Sequence, residues 1–103
     1  MTLSLFISPE AHQNVISIAR YLEERNVSAA RRFARAVGQT GEMLLQNSEL
    51  GERLCSDSTG QIRYRTVSEF KNYLIFYRRN DAVLEIVRIL HGAMDDDFYE
   101  LPR

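Results

Sequence analysis

The sequence predicts an α+β domain in which a helix hairpin packs on a mainly antiparallel sheet, in the order strand, helix, helix, strand, strand, strand. The first half of the chain holds a short apolar run and two segments with apolar residues at helical spacing, and the second half holds three runs rich in β-branched and aromatic residues. With 103 residues and 45% apolar content, the chain can bury one core but not two. We therefore predict a single domain over residues 1–103.

The first strand and the first helix follow each other directly. Residues 3–7 form the short apolar run, and Ser8 with Pro9 then provides a helix start, because Ser8 can cap free N–H groups and Pro9 suits the first helical position. Glu10 favours the positive end of the helix dipole. One apolar stripe continues at spacings of four, three and four residues, formed by Ala11, Val15, Ile18 and Leu22.

A second helix is predicted after a short turn at Asn26 and Ser28, which also offers an N-cap. Its apolar stripe consists of Ala30, Phe33, Val37 and Leu44. Gly38 and Gly41 interrupt this helix, and we expect them to let it lie close to the first one. Because the turn is short, the two helices must form an antiparallel hairpin, with three arginines facing solvent or a partner. These are Arg31, Arg32 and Arg35.

Three strands are predicted after the long polar stretch 46–61, which reads as irregular because it is punctuated by glycines. The strands lie at 62–67, 73–78 and 83–91, and the tight connection at 79–81 makes the last two a hairpin. The last strand is apolar on both alternating faces, so we expect it to be central and covered by the helices. Val83, Val87 and Ile89 form one face, and Leu84, Ile86 and Leu90 form the other.

The charges are unevenly distributed. Residues 1–92 carry a balance of +2 and residues 93–103 a balance of −3, so a mildly basic body ends in an acidic tail at about 95–103. A net charge of −1 gives no global attraction to nucleic acid or anionic lipid. We expect no direct nucleic-acid binding by the chain alone and no membrane association. Twelve of the thirteen basic residues are arginine, and Lys71 is the exception.

Several classes of function are excluded by missing motifs. No glycine-rich phosphate loop, HExxH, CxxC pair or GxSxG elbow is present. The single cysteine, Cys55, excludes an internal disulfide and a four-cysteine zinc site. The aspartates at 95–97 do not converge on a metal without a scaffold. We expect no cofactor and no metal, and the absence of a leader-like start predicts a cytoplasmic protein.

A few polar residues in the sheet half are candidates for function. Arg63 and Arg65 leave the same face of their strand about 7 Å apart, so they can hold an RNA backbone or an acidic protein segment, or can form a solvated outer face. Arg88 interrupts an apolar strand and needs a partner, which can be Glu85 or a tail aspartate, or else a binding role. His91 at a strand end is either a hydrogen-bonded structural residue or part of a catalytic set.

The catalytic alternative is a ribonuclease. Attack of a 2′-hydroxyl on a phosphate needs a base, an acid and cations around the phosphate. His91 and Tyr99, with Arg63, Arg65 and Arg88, can supply these parts.

Several segments together resemble the RelE/ParE superfamily of bacterial toxins, and its ParE branch in particular. They are "SPEA" at 8–11, "IARYLEERN" at 18–26, "AARRF" at 29–33, "LLQNSELGERL" at 44–54 and "YLIFYRRNDAVLEIVRILHGAMD" at 73–95. The last segment is the specific one. One position departs from the family pattern, because Met94 stands where an arginine is usual.

The resemblance implies the toxin half of a type II toxin–antitoxin pair that inhibits DNA gyrase and forms a hetero-oligomer with a cognate ParD-like antitoxin. A RelE-like ribosome-dependent mRNA endonuclease is the alternative, which the single lysine disfavours. Met94 leaves a third possibility, an inactive scaffold that binds only the antitoxin. We expect the antitoxin to contact Val15, Ile18, Leu22, Arg31, Phe33, Arg35, Arg63 and Arg65. We expect the target to contact Arg88, His91, Met94 and Asp95.

Overall fold

A computed structural model describes residues 3–57 and 60–92. Within these residues the chain forms two helices and one five-stranded sheet. The elements in chain order are β1 (Ser4–Ile7), α1 (Pro9–Glu23), α2 (Val27–Gln46), β2 (Glu52–Asp57), β3 (Gly60–Val67), β4 (Phe70–Arg79) and β5 (Val83–His91).

The strands follow the order β1-β5-β4-β3-β2 across the sheet. β1 pairs in parallel with β5, and the other three neighbouring pairs are antiparallel. The predicted class is thus confirmed, and β5 is an interior strand as expected. The prediction of an irregular stretch at 46–61 is wrong, because Glu52–Asp57 forms β2 at the sheet edge, paired with β3.

Helix α1 begins as the sequence predicts and also closes part of the sheet. The Ser8 side chain accepts a hydrogen bond from the Ala11 amide at 3.0 Å and donates one to the Val87 carbonyl at 2.8 Å. The Ile89 amide donates to Asn14 Oδ1 at 2.9 Å. Since β1 ends at Ile7, the side chains of the N-cap Ser8 and of Asn14 in α1 take over hydrogen bonds that a longer β1 would make with β5.

Helix α2 is capped by Asn26, whose side chain accepts from the amides of Ser28 and Ala29. The expectation that its two glycines bring the helices together is wrong. A Cβ at Gly41 would lie 3.1 Å from Leu5 Cδ2 and near Ile86, so this glycine brings α2 close to the sheet. A Cβ at Gly38 would meet nothing within 4 Å.

Two apolar clusters lie on opposite faces of the sheet. The helix-side cluster joins Phe33 and Leu44 of α2 to strand residues such as Ile75, Tyr77 and Leu84. The second cluster consists of strand residues, and we call the face that carries it the distal face. Its members are Leu54, Ile62, Tyr64, Leu74, Phe76, Val87 and Leu90.

A β-bulge changes the face assignment of β5. Phe76 faces Arg88 and Tyr77 faces Ile86, so Val87 is an extra residue in β5. An extra residue inverts the two-residue alternation beyond it, and Ile89 therefore joins the helix-side cluster while Val87 and Leu90 face the distal side. The prediction of one strict alternation along this strand is correct only up to Val87, because Val87 and Arg88 lie on the same face.

Candidate docking surfaces and an arginine pocket

A largely apolar groove lies between α1 and the end of β5, and we call it the α1–β5 groove. Its volume is about 610 Å³. It is lined by Asn14, Ser17, Ile18 and Tyr21 of α1 and by Tyr73, Ile89, Leu90 and His91 of the strands. The groove exists because β1 is too short to follow β5 to its end, so the last turns of α1 face the terminal residues of β5 directly.

Aromatic rings form the floor and rim of this groove. The buried Tyr73 ring packs edge-on against Phe33 at 5.2 Å and against His91 at 4.9 Å. At the rim, the Arg25 guanidinium lies 4.1 Å from the centre of the half-exposed Tyr21 ring. Burial is the main cause that raises the pKa of Tyr73, with the nearby Tyr21 adding to it and Arg25 opposing it. The groove is therefore largely apolar inside, with a cation at its mouth.

The outer edge of β1 is a second candidate surface. The amides of Ser4 and Ser8 donate to carbonyls of the β5 side at 2.9 and 3.0 Å. Backbone groups alternate in direction along a strand, so those of Leu5 and Ile7 point away from the sheet. Phe6 is 49% exposed on this strand. A groove of about 560 Å³ runs beside it, lined by Leu5, Arg35, Gly38, Gln39 and Glu42.

A third cavity lies where the loop after α2 crosses β3 and β4, and we call it the arginine pocket. Its volume is about 240 Å³, and polar side chains dominate its lining. Its residues are Ser48, Glu49, Gln61, Arg63, Tyr77 and Arg79.

Tyr77 holds the loop of this pocket against the sheet. Its buried hydroxyl donates to the Ser48 carbonyl and accepts from the Gly51 amide, each at 2.8 Å. Burial is the main cause of its raised pKa, while the Gly51 amide and the positive charges of Arg63 and Arg65 oppose the rise. Only glycine fits at position 51, because a Cβ there would lie 2.5 Å from the Tyr77 oxygen.

The residues expected to contact the antitoxin do not form one surface. Val15, Ile18 and Leu22 are partly buried against the core, and Ile18 lines the α1–β5 groove. Phe33 is fully buried, so the structure places it in the core and removes it from any surface contact.

The four arginines of that set lie on different parts of the fold. Arg31 and Arg35 are exposed on α2. Arg63 and Arg65 lie on β3 and donate to the carbonyls of Gly51 and Leu50 at 2.8 and 3.3 Å. The groove beside β1 that contains Arg35 is separated from β3 by two intervening strands, a displacement of about 14 Å.

The residues expected to contact the target are only partly described. Arg88 forms an ion pair with Glu10 at 2.6 Å, and Glu85 pairs with Arg78 at 2.9 Å, so Glu85, one of the partners considered for Arg88, is not the one it takes. His91 is the last residue of β5 and lines the α1–β5 groove. Met94 and Asp95 lie outside the described residues.

The catalytic set of the ribonuclease alternative is dispersed among the described residues. His91 on β5 faces Tyr73 of β4, and Arg63 on β3 faces Tyr77 of β4. His91 and Arg63 therefore lie on the two strands that flank β4. Four residues along a strand and two strand spacings across it put these two residues about 16 Å apart. Arg63 and Arg65 bond to the loop, Arg88 pairs with Glu10, and Tyr99 is outside the described residues.

Sequence reasoning missed Arg79 and the role of Tyr77. Arg79 was assigned to the turn, yet it ends β4 and donates to Ser48 Oγ at 3.2 Å. The usable signal was the alternation of Arg79, Tyr77 and Ile75, which places all three on one face of the strand. The loop contacts that give this face its role depend on tertiary structure.

Two absences hold for the part of the chain that the structure describes. No group of three or more His, Cys, Asp or Glu side chains in that part is placed to hold a metal ion. No helix there is long and apolar enough to cross a membrane. The tail aspartates 95–97 lie outside it.

Comparisons with known proteins agree with this architecture. The toxin–antitoxin structure described as "Chromosomal ParDE TA system from P. aeruginosa" contains a chain that is similar with a TM-score of 0.72 at 16% identity, over 87% of this chain and 96% of that one. At this identity the similarity shows the fold. Comparison with curated protein sequences finds no match. The family model described as "ParE toxin of type II toxin-antitoxin system, parDE" matches residues 5–96. The resemblance read from the sequence is confirmed, and the chain belongs to the ParE toxin family of type II toxin–antitoxin systems.

Proposed function

We propose that this chain inhibits DNA gyrase by docking to it, and that a cognate ParD-like antitoxin holds it inactive in a hetero-oligomeric complex. The observation that supports the proposal is family membership over residues 5–96 together with an apolar distal face. Gyrase inhibition and neutralisation by a ParD protein are usual for this family.

The chemistry of the distal face favours docking over RNA cleavage. Cleavage of RNA needs cations and acid–base groups grouped around one phosphate. The cluster on the distal face instead has apolar and aromatic members such as Leu74, Phe76 and Leu90. The strand register also places Arg78 and Arg88 on this face, but each is ion-paired with a glutamate. The arginines on β3 lie on the other face, where they bond to the loop carbonyls. A nuclease thus has less support here than a protein that acts by surface contact.

The α1–β5 groove is our proposed site for an apolar anchor of the antitoxin. The groove is concave, largely apolar and lined by side chains of a helix and two strands, which are properties that suit a buried anchor residue. Arg25 at the rim and the exposed Arg35 on α2 can receive acidic residues of the antitoxin. The outward-pointing backbone groups of Leu5 and Ile7 can pair with an extended antitoxin segment.

The gyrase part is tested in a supercoiling reaction with purified gyrase. We expect the toxin to cause accumulation of cleaved DNA, and prior addition of the antitoxin encoded beside it to prevent this. Absence of cleaved DNA, combined with cleavage of ribosome-bound messenger RNA, would refute the gyrase proposal and favour the RelE-like alternative.

The antitoxin groove is tested with a pair of substitutions on α1. Tyr21→Ala removes a half-exposed ring from the groove, whereas Ile16→Ala removes a similarly exposed side chain that does not line it. We expect Tyr21→Ala to weaken antitoxin binding by about tenfold or more, as for a contact worth over 1 kcal/mol, and Ile16→Ala to have little effect. Equal losses for both, measured by calorimetry, would argue against the groove.

Strand addition at β1 is tested by hydrogen exchange. We expect the amides of Leu5 and Ile7 to gain protection when the antitoxin binds. The Ser4 amide already donates to Ala82 and serves as an internal control. Unchanged hydrogen exchange at the Leu5 and Ile7 amides would show that the antitoxin does not pair with the edge of β1.

A further inference from the structure

The arginine pocket is a small polar cavity whose lining includes two arginines, Arg63 and Arg79. Gln61, Arg63 and Arg65 alternate along β3, and Tyr77 and Arg79 alternate along β4 beside them. Arg63 faces Tyr77 across the strand pair. The loop after α2 closes the cavity from above with Ser48 and Glu49. Three separate segments thus contribute polar side chains to one cavity.

The arginines of this pocket are held in place by neutral acceptors. Arg63 Nη1 donates to the Gly51 carbonyl at 2.8 Å, and Arg79 Nη1 donates to Ser48 Oγ at 3.2 Å. Arg65 Nη1 adds a longer bond of 3.3 Å to the Leu50 carbonyl. A guanidinium has five N–H donors, so these bonds orient the groups and leave most donors without an acceptor among the described residues.

The charge of the pocket is not neutralised within the described part of the chain. The ion pairs there join Arg78 to Glu85 and Arg88 to Glu10, and Arg63, Arg65 and Arg79 take no part in them. Glu49 is the carboxylate that lines the cavity. Two guanidinium groups therefore face one carboxylate, and Arg65 beside them adds a third positive charge.

We propose that the arginine pocket binds a phosphate group. Two oriented guanidinium forks match the oxygens of a phosphate in geometry and charge, and a cationic concave site concentrates anions. The cavity of about 240 Å³ is several times the roughly 30 Å³ that one water occupies in the liquid, so a phosphate and a few waters fit. The Ser48 hydroxyl and the Gln61 amide supply further hydrogen bonds. The phosphate can come from a small anion in solution or from a DNA backbone.

The site is tested by titrating ¹⁵N-labelled protein with inorganic phosphate at constant ionic strength, with sodium chloride as the comparison salt. We expect saturable shifts of the Glu49, Gly51 and Arg63 amides with phosphate and not with chloride. Arg79→Gln and Arg63→Gln should each weaken phosphate binding by about tenfold or more, because each removes charge-assisted hydrogen bonds. Arg31→Gln removes an exposed arginine on α2 and should leave the affinity unchanged.

Equal shifts with chloride, wild-type affinity in both pocket variants, or an equal loss in Arg31→Gln would each overturn the proposal. Since Arg79 is exposed, Arg79→Gln should remain folded, which thermal melting of the variant checks. A short DNA duplex at equal phosphate concentration identifies the source. Tighter, Arg79-dependent binding of the duplex indicates a backbone phosphate, and Arg79-dependent binding of inorganic phosphate alone indicates a small anion. Neither gyrase nor an antitoxin enters these measurements, so their result is independent of the proposed function.

Discussion

Replacing Gly51 with alanine should destabilise the fold by an amount that the contacts around it determine. The new Cβ would lie 2.5 Å from the Tyr77 hydroxyl oxygen and 2.7 Å from the Tyr64 carbonyl oxygen. The Tyr77 ring is fully buried and the Tyr64 carbonyl belongs to β3, so neither can move cheaply and the loop must shift. Gly51 does not adopt the left-handed backbone region, so the cost is the clash and not a forbidden φ.

The magnitude follows from what a shift of the loop breaks. A shift of the loop breaks the two hydrogen bonds of the Tyr77 hydroxyl, worth about 0.5–1.5 kcal/mol each. Overpacking around the new methyl group costs about 1–3 kcal/mol. These costs overlap, because moving the loop relieves the clash by breaking the bonds. Alanine also restricts the unfolded chain, which returns about 0.4–1 kcal/mol. We therefore expect a net loss of about 2–3 kcal/mol, a large part of the roughly 5–15 kcal/mol that stabilises a domain.

Urea unfolding followed by circular dichroism measures this loss, with the m value showing whether the two-state description holds. Gly38→Ala is the matched control, since its Cβ meets nothing within 4 Å in an exposed part of α2, and it should stabilise by about 0.5–1 kcal/mol. Tyr77→Phe removes the closest clashing atom, so the double variant with Gly51→Ala should lose less than the sum of the singles. A loss below about 1 kcal/mol, or additive effects in the double variant, would refute the reasoning.

Three further predictions concern the sheet edge, pH and the target contact. Asn14→Ala leaves the Ile89 amide without its 2.9 Å acceptor and should cost about 1–3 kcal/mol in urea unfolding; wild-type stability would mean that water replaces the side chain. Burial raises the pKa of Tyr73 and Tyr77 above 10.0, so their contribution to stability is complete below pH 10 and is lost as the pH rises through the folded-state values. As the pH rises above 10, the free energy of unfolding should fall less steeply in Tyr77→Phe than in the wild type. An equal slope in the two proteins would contradict this. If Arg88 contacts gyrase, Arg88→Ala should reduce DNA cleavage in the gyrase assay. Glu10→Gln removes the partner of the same ion pair and should leave DNA cleavage unchanged. Equal effects of the two substitutions would assign Arg88 a structural role alone.

The helices could be predicted in detail because their signals are local. Ser8 and Asn26 cap the free amides within three residues of themselves, and Pro9 fixes the first helical position. Such signals depend on a few adjacent residues, so they can be recognised without knowledge of the tertiary structure. The same holds for the hairpin of β4 and β5, which Asn80 closes with bonds to the amides of Ala82 and Val83.

The strand β2 could not be predicted because its cause is not local. Its sequence is polar, and Leu54 is the member of the distal apolar cluster that it contributes among the side chains the structure describes. An edge strand is paired on one side and tolerates polar residues on both faces, so its hydrophobic pattern is weak. The pairing with β3, irregular between Arg53 and Cys55, and the Tyr77 contact that fixes Gly51 at its start together hold it in place.

The functional surfaces depend on the same long-range geometry, which explains why the arginines expected to contact the antitoxin lie on separate parts of the fold. Residue spacing correctly placed Arg63 and Arg65 on one face, but it cannot tell which face lies beside the loop after α2. In the folded chain that loop receives both guanidinium groups, and Arg79 joins them through the pairing of β3 with β4. The distal face is left with an apolar cluster. A face of this composition can desolvate against a protein partner at low cost. A phosphodiester placed there would meet Arg78 and Arg88, each already ion-paired with a glutamate, and no arginine of β3.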